Sequence, residues 1–194
     1  MKTWLSLLAI CILLGGLLSG THRLTKPTIE ANRSAAERAL LVAEVAPQGL
    51  PERLSWQGGY LPICEQLTLE SLTTPGYGGP MTLLISYHRE PCNPDQSQCQ
   101  QPSLRSLKVS QHAETPGIGD FFETTRPQWL QQLEGVQLSQ AQTPTLPQLD
   151  AVSGATITAN ALRNGVLAAL TVGSAIPFTA EPCDPGYPPS KGDA

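Results

Sequence analysis

Residues 150–158 read Asp-Ala-Val-Ser-Gly-Ala-Thr-Ile-Thr, a run of small and hydroxyl-bearing residues that leads straight into an apolar-periodic stretch. There Leu162, Val166, Ala169 and Leu170 share one face at helical spacing, which predicts a helix starting near Thr158. The first turn of a helix carries N–H groups with no intrahelical acceptor and a partial positive charge. Gly154 lets a ligand come close to the backbone, and Ser153, Thr156 and Thr158 add hydroxyls. Such a place suits a phosphate. It also suits an ordinary helix start, with Thr158 as the N-cap and Ser153 in the turn before it. There is no Walker-type phosphate loop and no Gly-x-Ser-x-Gly elbow. Ser153 has no evident base, because His88 is expected at an exposed strand end and His112 at the start of a turn. No catalytic residue is therefore assigned.

About 40 residues upstream lies His112-Ala113-Glu114-Thr115-Pro116-Gly117-Ile118-Gly119-Asp120. Taken alone, Pro116-Gly117 reads as a type II turn. Together, however, the two segments resemble the FMN-binding domains of the RnfG and NqrC families. LDAVSGATITANALRNGV is similar to their flavinylation motif, Asp-x-x-Ser/Thr-Gly-Ala-Thr, and HAETPGIGD resembles their HxETPGLGD stretch. The Gly76-Tyr77-Gly78-Gly79 turn fits as well, and the resemblance spans roughly residues 4–172. The chain departs from these families in its CNPDQSQC loop, in Phe121-Phe122-Glu123 after Asp120, and in its Pro-rich tail.

The resemblance implies covalent FMN, joined through its phosphate to Thr156, with Asp150, Ser153, Gly154 and Ala155 completing the motif and Thr158 as the neighbouring hydroxyl. It further implies that Glu114, Thr115 and Gly117 approach the isoalloxazine or the ribityl chain. Tyr77 would lie against the ring, or else serve as a structural aromatic beside a glycine turn. The implied partners are the other membrane subunits of an ion-translocating Rnf electron transport complex and a flavin transferase of the ApbE type. Chain length favours RnfG over NqrC, the corresponding subunit of sodium-pumping quinone reductases. A membrane-anchored regulator and a purely structural exported domain are the remaining readings.

The elements that must position these motifs follow from the rest of the chain. Its 194 residues are 40% hydrophobic and only 14% charged, and a net charge of −4 argues against a nucleic-acid partner. Seventeen glycines and 18 prolines predict many turns. From Thr3 to Thr21 there is no charge, and as a helix this segment rises roughly 28 Å, enough for a bilayer core. The apolar stretch is long for a cleaved signal peptide and no A-x-A-like site follows it, so an uncleaved anchor is expected. Ile10 before Cys11 argues against a lipobox.

Arg23, Lys26, Arg33 and Arg38 after the anchor favour a cytoplasmic domain by the positive-inside rule. The four cysteines beyond it, Cys64, Cys92, Cys99 and Cys183, form no CxxC pair and no zinc pattern. As disulfides they favour an oxidising compartment. Weighing the cysteines above the charges gives a single-pass inner-membrane protein with its bulk in the periplasm. A Cys92–Cys99 bridge would shorten a polar loop, which leaves Cys64 with Cys183. Sequence alone does not decide the pairing.

The expected fold is α+β: an N-terminal transmembrane helix, then one FMN-binding domain with an antiparallel sheet packed by helices. Boundaries are set at 1–21 for the anchor, 22–50 for a linker helix, 51–175 for the domain and 176–194 for the tail. Thr28 after Pro27 would cap a helix over Ile29–Val45. Strand-like pieces occur at Tyr60–Ile63 and Leu67–Leu69, with clearer strands at Met81–Tyr87 and Leu107–Gln111 that should be neighbours. Pro127 opens a short helix through Gln132, stopped at Gly135. The tail from Pro177 is expected to be extended or frayed.

Overall fold

The computed structural model of the chain describes residues 2–46, 55–90, 102–136, 146–147, 149–171, 176–179 and 181–183. The chain divides into two units, Met1–Ala39 and Leu40–Ala194. Helix α1, Lys2–Val45, supplies the first and opens the second. An 18-residue window of α1 has a mean hydropathy of 2.0 with none of it buried, and among the described residues this is the helix long and apolar enough to cross a membrane. Trp4, Leu5, Leu13 and Leu18 each expose more than half of their surface. The expected break at Pro27, with Thr28 as a fresh cap, does not occur; the helix runs through the proline. A proline inside a helix removes one hydrogen bond and crowds the carbonyl four residues back. The strong helix formers after it (Glu30, Ala31, Ala35, Ala36, Glu37, Ala39) favour continuing the helix.

The second unit is built on a four-stranded antiparallel meander in the order β1-β2-β3-β4. Its strands are β1 Tyr60–Cys64, β2 Leu67–Pro75, β3 Pro80–His88 and β4 Ser103–Gln111. The two short pieces expected between residues 60 and 69 are thus full strands, and β3 and β4 are neighbours, as expected. The β2–β3 connection closes with Gly76 N–H donating to Gly79 C=O at 2.9 Å. In β4 the register shifts by one residue opposite Ser86 and Tyr87. That shift turns Leu104 and Leu107, three positions apart, to the same buried side.

Antiparallel partners point to the same face of a sheet. One face carries Met81, Leu83, Ile85 and Tyr87 with Leu104, Leu107 and Val109. Helix α2, Thr156–Thr171, covers it with Leu162, Val166, Ala169 and Leu170, the face expected from their spacing. Close approach needs Gly165, where a Cβ would lie 2.6 Å from Leu83 Cδ1. Trp129, Leu130 and Leu133 of a 3-10 segment, Pro127–Leu133, complete this core. The segment is 3-10 rather than α and runs one residue past the expected end. Beyond it, Leu104 and residues 135–136 exchange backbone hydrogen bonds of 2.7 and 2.9 Å, which protects part of the β4 edge.

The other face packs Leu61, Ile63, Leu67, Leu69 and Leu84 against Leu41 and Val45 at the end of α1. There the buried Glu44 accepts a 2.6 Å bond from Ser86 Oγ. The tail segments that are described are held, not frayed. Cys183 is disulfide-bonded to Cys64, Glu65 N–H donates to Glu181 C=O at 2.8 Å, and Thr68 Oγ1 donates to Pro177 C=O at 2.6 Å. The Cys92–Cys99 expectation lies outside the described residues. His88, expected at an exposed strand end, is buried, and its Nε2 meets Glu90 Oε1 at 3.3 Å.

Candidate functional site

Three segments far apart in sequence meet at one end of the sheet: the β2–β3 turn, the loop that leaves β4, and the start of α2. Gly78 makes the first contact. A Cβ there would fall 1.9 Å from the Ala113 carbonyl oxygen, so only glycine lets the turn lie on residues 113–114. Gly78 N–H donates to Glu114 Oε1 at 3.2 Å.

The loop after β4 is fixed by its own side chains. His112 Nδ1 accepts the Glu114 N–H at 3.2 Å, and Nε2 stands 3.3 Å from Glu123 Oε1. The imidazole also meets the Phe122 ring edge-on at 5.2 Å between centroids. Past Pro116 the chain turns at Gly117 with φ of +79°, the left-handed region that favours glycine. Gly117 N–H donates to Asp120 Oδ1 at 2.7 Å, and the Thr115 carbonyl accepts from Ile118 and Gly119. The effect is to turn the Glu114 side chain inward, leaving it 5% exposed.

Helix α2 begins at Thr156, two residues before the sequence expectation. Thr158 is therefore not the N-cap. It sits in the first turn, 1% exposed, and its hydroxyl donates to Glu114 Oε2 at 2.6 Å. Position 155 before the helix is alanine, whose carbonyl accepts the Ala159 N–H at 2.9 Å but whose side chain caps nothing. The N–H groups of Thr156, Ile157 and Thr158 meet no acceptor among the described residues. The Thr156 side chain is exposed at this helix start.

A cavity of about 530 Å³ opens where the segments meet. The turn lends Tyr77; the loop lends Glu114, Thr115, Ile118 and Gly119; the helix start lends Gly154, Thr156, Ile157 and Thr158. Of the residues singled out in the sequence, Glu114, Thr115, Tyr77, Gly154, Thr156 and Thr158 thus share one space. The others do different work. Gly117 shapes the loop, Ala155 is buried beneath the helix start, and Ser153 occupies the exposed turn before Gly154, which has φ of +82°. Asp150 turns to the 3-10 segment: its carboxylate accepts from Gln132 Nε2 at 3.1 Å, and its carbonyl accepts from Trp129 Nε1 at 2.9 Å. A second cavity, of about 490 Å³, runs past Asp150, Asn160 and Arg163, and Thr156 lines it too.

Sequence reasoning missed Ile118 and Ile157. Both are more than half exposed and, with Tyr77, place three apolar groups on the first cavity's wall. The signal was present, as each is a large apolar residue set among glycines and threonines inside a motif. Only the fold shows that they project outward instead of into the core.

Residues 100–171 match the FMN-binding domain family. Over most of its length the chain is similar to the G subunit of the ion-translocating oxidoreductase complex of Stutzerimonas stutzeri, at 30% identity over 85% of this chain and 74% of that protein. The corresponding protein of Pasteurella multocida (strain Pm70) is 27% identical over 81% of this chain and 85% of its own length.

Proposed function

Because the chain belongs to the family of G subunits of ion-translocating oxidoreductase complexes, we propose that it is a membrane-anchored flavoprotein that carries FMN covalently on Thr156 and relays electrons within such a complex. The observation that carries this reading is Thr156, exposed at the first residue of α2 beside a cavity, at a helix start preceded by Ala155, which has no capping side chain.

The residues fit the group. Three N–H groups that meet no acceptor among the described residues suit phosphate oxygens. The cavity of about 530 Å³ falls within the roughly 300–1,000 Å³ usual for ligand sites. Its wall mixes apolar groups (Tyr77, Ile118, Ile157) with a few polar ones (Glu114, Thr158), the composition expected for a flat aromatic cofactor. The ester replaces the Thr156 Oγ1–H bond with an Oγ1–P bond, while the oxygen-linked group that the phosphorus gives up leaves with the proton. Thr156 is a tether and does not turn over. Bound there, FMN supplies electron transfer.

The chain's own groups do the rest. The α2 start offsets the phosphodiester charge. Glu114 ties the loop to Gly78 and Thr158, so the cavity walls keep their places. Ile118, Ile157 and Tyr77 exclude water from one side. A tether also keeps the cofactor at an effective concentration on the order of mM, which matters outside the cytoplasm, where a lost flavin is not replaced. In this reading a separate flavin transferase of the ApbE type makes the ester. Helix α1 crosses the inner membrane once, the domain lies on the periplasmic side, and the other subunits of the complex are the redox partners. The Cys64–Cys183 disulfide supports that side.

Intact-mass and peptide mass spectrometry of protein co-expressed with a flavin transferase tests the reading. An FMN-sized increment on the peptide spanning 150–160, absent in Thr156→Ala, is expected. Unmodified wild-type protein, or modified Thr156→Ala, overturns it.

A further inference from the structure

We propose that Glu114 lowers the reduction potential of the cofactor tethered at Thr156, by keeping a fixed carboxylate in the wall of the cavity beside that hydroxyl. The inference rests on the reading of Thr156 as the flavin attachment point. Glu114 is 5% exposed, yet it lines the cavity. No other carboxylate lines that space among the described residues, and no lysine, arginine or histidine does. Its two oxygens accept from neutral donors, the Thr158 hydroxyl at 2.6 Å and the Gly78 N–H at 3.2 Å, and neither donor cancels its charge. The nearby imidazole, His112, uses Nδ1 as the acceptor of the Glu114 N–H and turns Nε2 toward Glu123. Glycine backbone hems in both oxygens: a Cβ on Gly76 would lie 2.2 Å from Oε1, and one on Gly119 would lie 2.7 Å from Oε2. The carboxylate is thus held against the glycine backbone by its two hydrogen bonds.

The electrostatic consequence has a definite sign. Each electron that enters a flavin from a reductant adds one negative charge, which remains unless a proton follows. A carboxylate held in a poorly solvated wall raises the free energy of that added charge. The α2 start acts in the opposite sense, but its N–H groups lie at the phosphate end, next to Thr156. The site thus puts its positive end at the tether and its negative group along the cavity. Thr158 links the two, because its backbone belongs to the helix start while its hydroxyl serves Glu114.

The test is a spectroelectrochemical titration, with dithionite as reductant, of the full-length flavinylated protein in detergent at one fixed pH. Intact mass confirms the covalent load in each variant. In Glu114→Gln the couple is expected to move to higher potential, at least tenfold in the reduction equilibrium, or about 59 mV for a one-electron step. Thr158→Val removes a donor but keeps the charge, and is expected to give no rise. Ile118→Lys sets a cation on the exposed wall near Glu114 and is expected to raise the potential; it keeps the question open to test if Glu114→Gln does not fold. No shift in Glu114→Gln, an equal rise in Thr158→Val, or no rise in Ile118→Lys overturns the proposal while the mass shift on Thr156 still stands. If the mass shift itself is missing, the attachment reading and this proposal fall together.

Discussion

Two positions along an α-helix turn the side chain by about 200°, so Thr156 and Thr158 have opposite surroundings despite their near identity in sequence. Thr156 is exposed, whereas Thr158 is enclosed and its hydroxyl is bonded to a buried carboxylate. Their substitution by valine separates the two roles. In protein without cofactor, Thr156→Val should change stability by no more than about 0.5 kcal/mol, as usual for an exposed site. Thr158→Val leaves one oxygen of a buried carboxylate short of its donor and should cost about 1–3 kcal/mol. Urea unfolding of the two variants checks both, and equal effects would mean the hydroxyls are not distinguished as described. Sequence could show that both threonines stand at a helix start. It could not show which one is inside, because that depends on the helix beginning at Thr156 and on Glu114, 44 positions from Thr158, arriving from another segment. The alanine at position 155 also weakens the usual start signal.

Among the elements, the strands were legible where a short apolar run is bounded by turn residues, as in β3, and only partly legible in β2 and β4. In β4 the register shift breaks the two-residue period, so Ser103–Ser106 does not look like a strand until it is paired. In β2 the confusing residue is Glu70, a carboxylate on the buried face. It is tolerated because both Tyr60 and Tyr87 donate their hydroxyls to it. Burial still pushes its pKa above the ordinary value of 4.5, against the lowering effect of those bonds. Burial, with Glu70 adjacent, likewise pushes Tyr60 up to about 12. The native state therefore holds protons that the unfolded chain releases. For Glu70 the associated stability is fully present below the unfolded value and is lost as pH rises through the raised native value. For Tyr60 the loss comes between about pH 10 and 12. Denaturant unfolding across acidic to neutral pH should show the first decline in the wild type and a flatter profile in Glu70→Gln. A variant that keeps the full slope would assign the proton to another group.

For the whole molecule, the least legible feature was the fate of the C-terminal segment. Its prolines predict an extended chain, but among the described residues extension does not mean detachment. Thr68, Glu65 and Cys64 hold it along the β1–β2 end of the sheet, and Arg89 lies over the Phe178 ring at 4.1 Å. These contacts are modest singly, whereas the disulfide spans 119 positions of sequence. Cross-linking residues so far apart removes much of the freedom of the unfolded chain. The loop-entropy relation puts that near 4–5 kcal/mol for a loop of about 100 residues, before any native strain. The bond encloses β2, β3, β4 and α2, every element of the candidate site, so its effect falls on the site's stability and not on its local geometry. Cys183→Ser should therefore lower the unfolding free energy by several kcal/mol, and dithiothreitol should lower wild-type stability toward that of the variant while leaving the variant's much less changed. Flavin attachment at Thr156, scored by mass below the new unfolding midpoint, should survive in the variant, because Cys183 packs with the cluster on the other face of the sheet and does not line the cavity. Loss of attachment in a folded Cys183→Ser protein would show instead that the tail shapes the site directly.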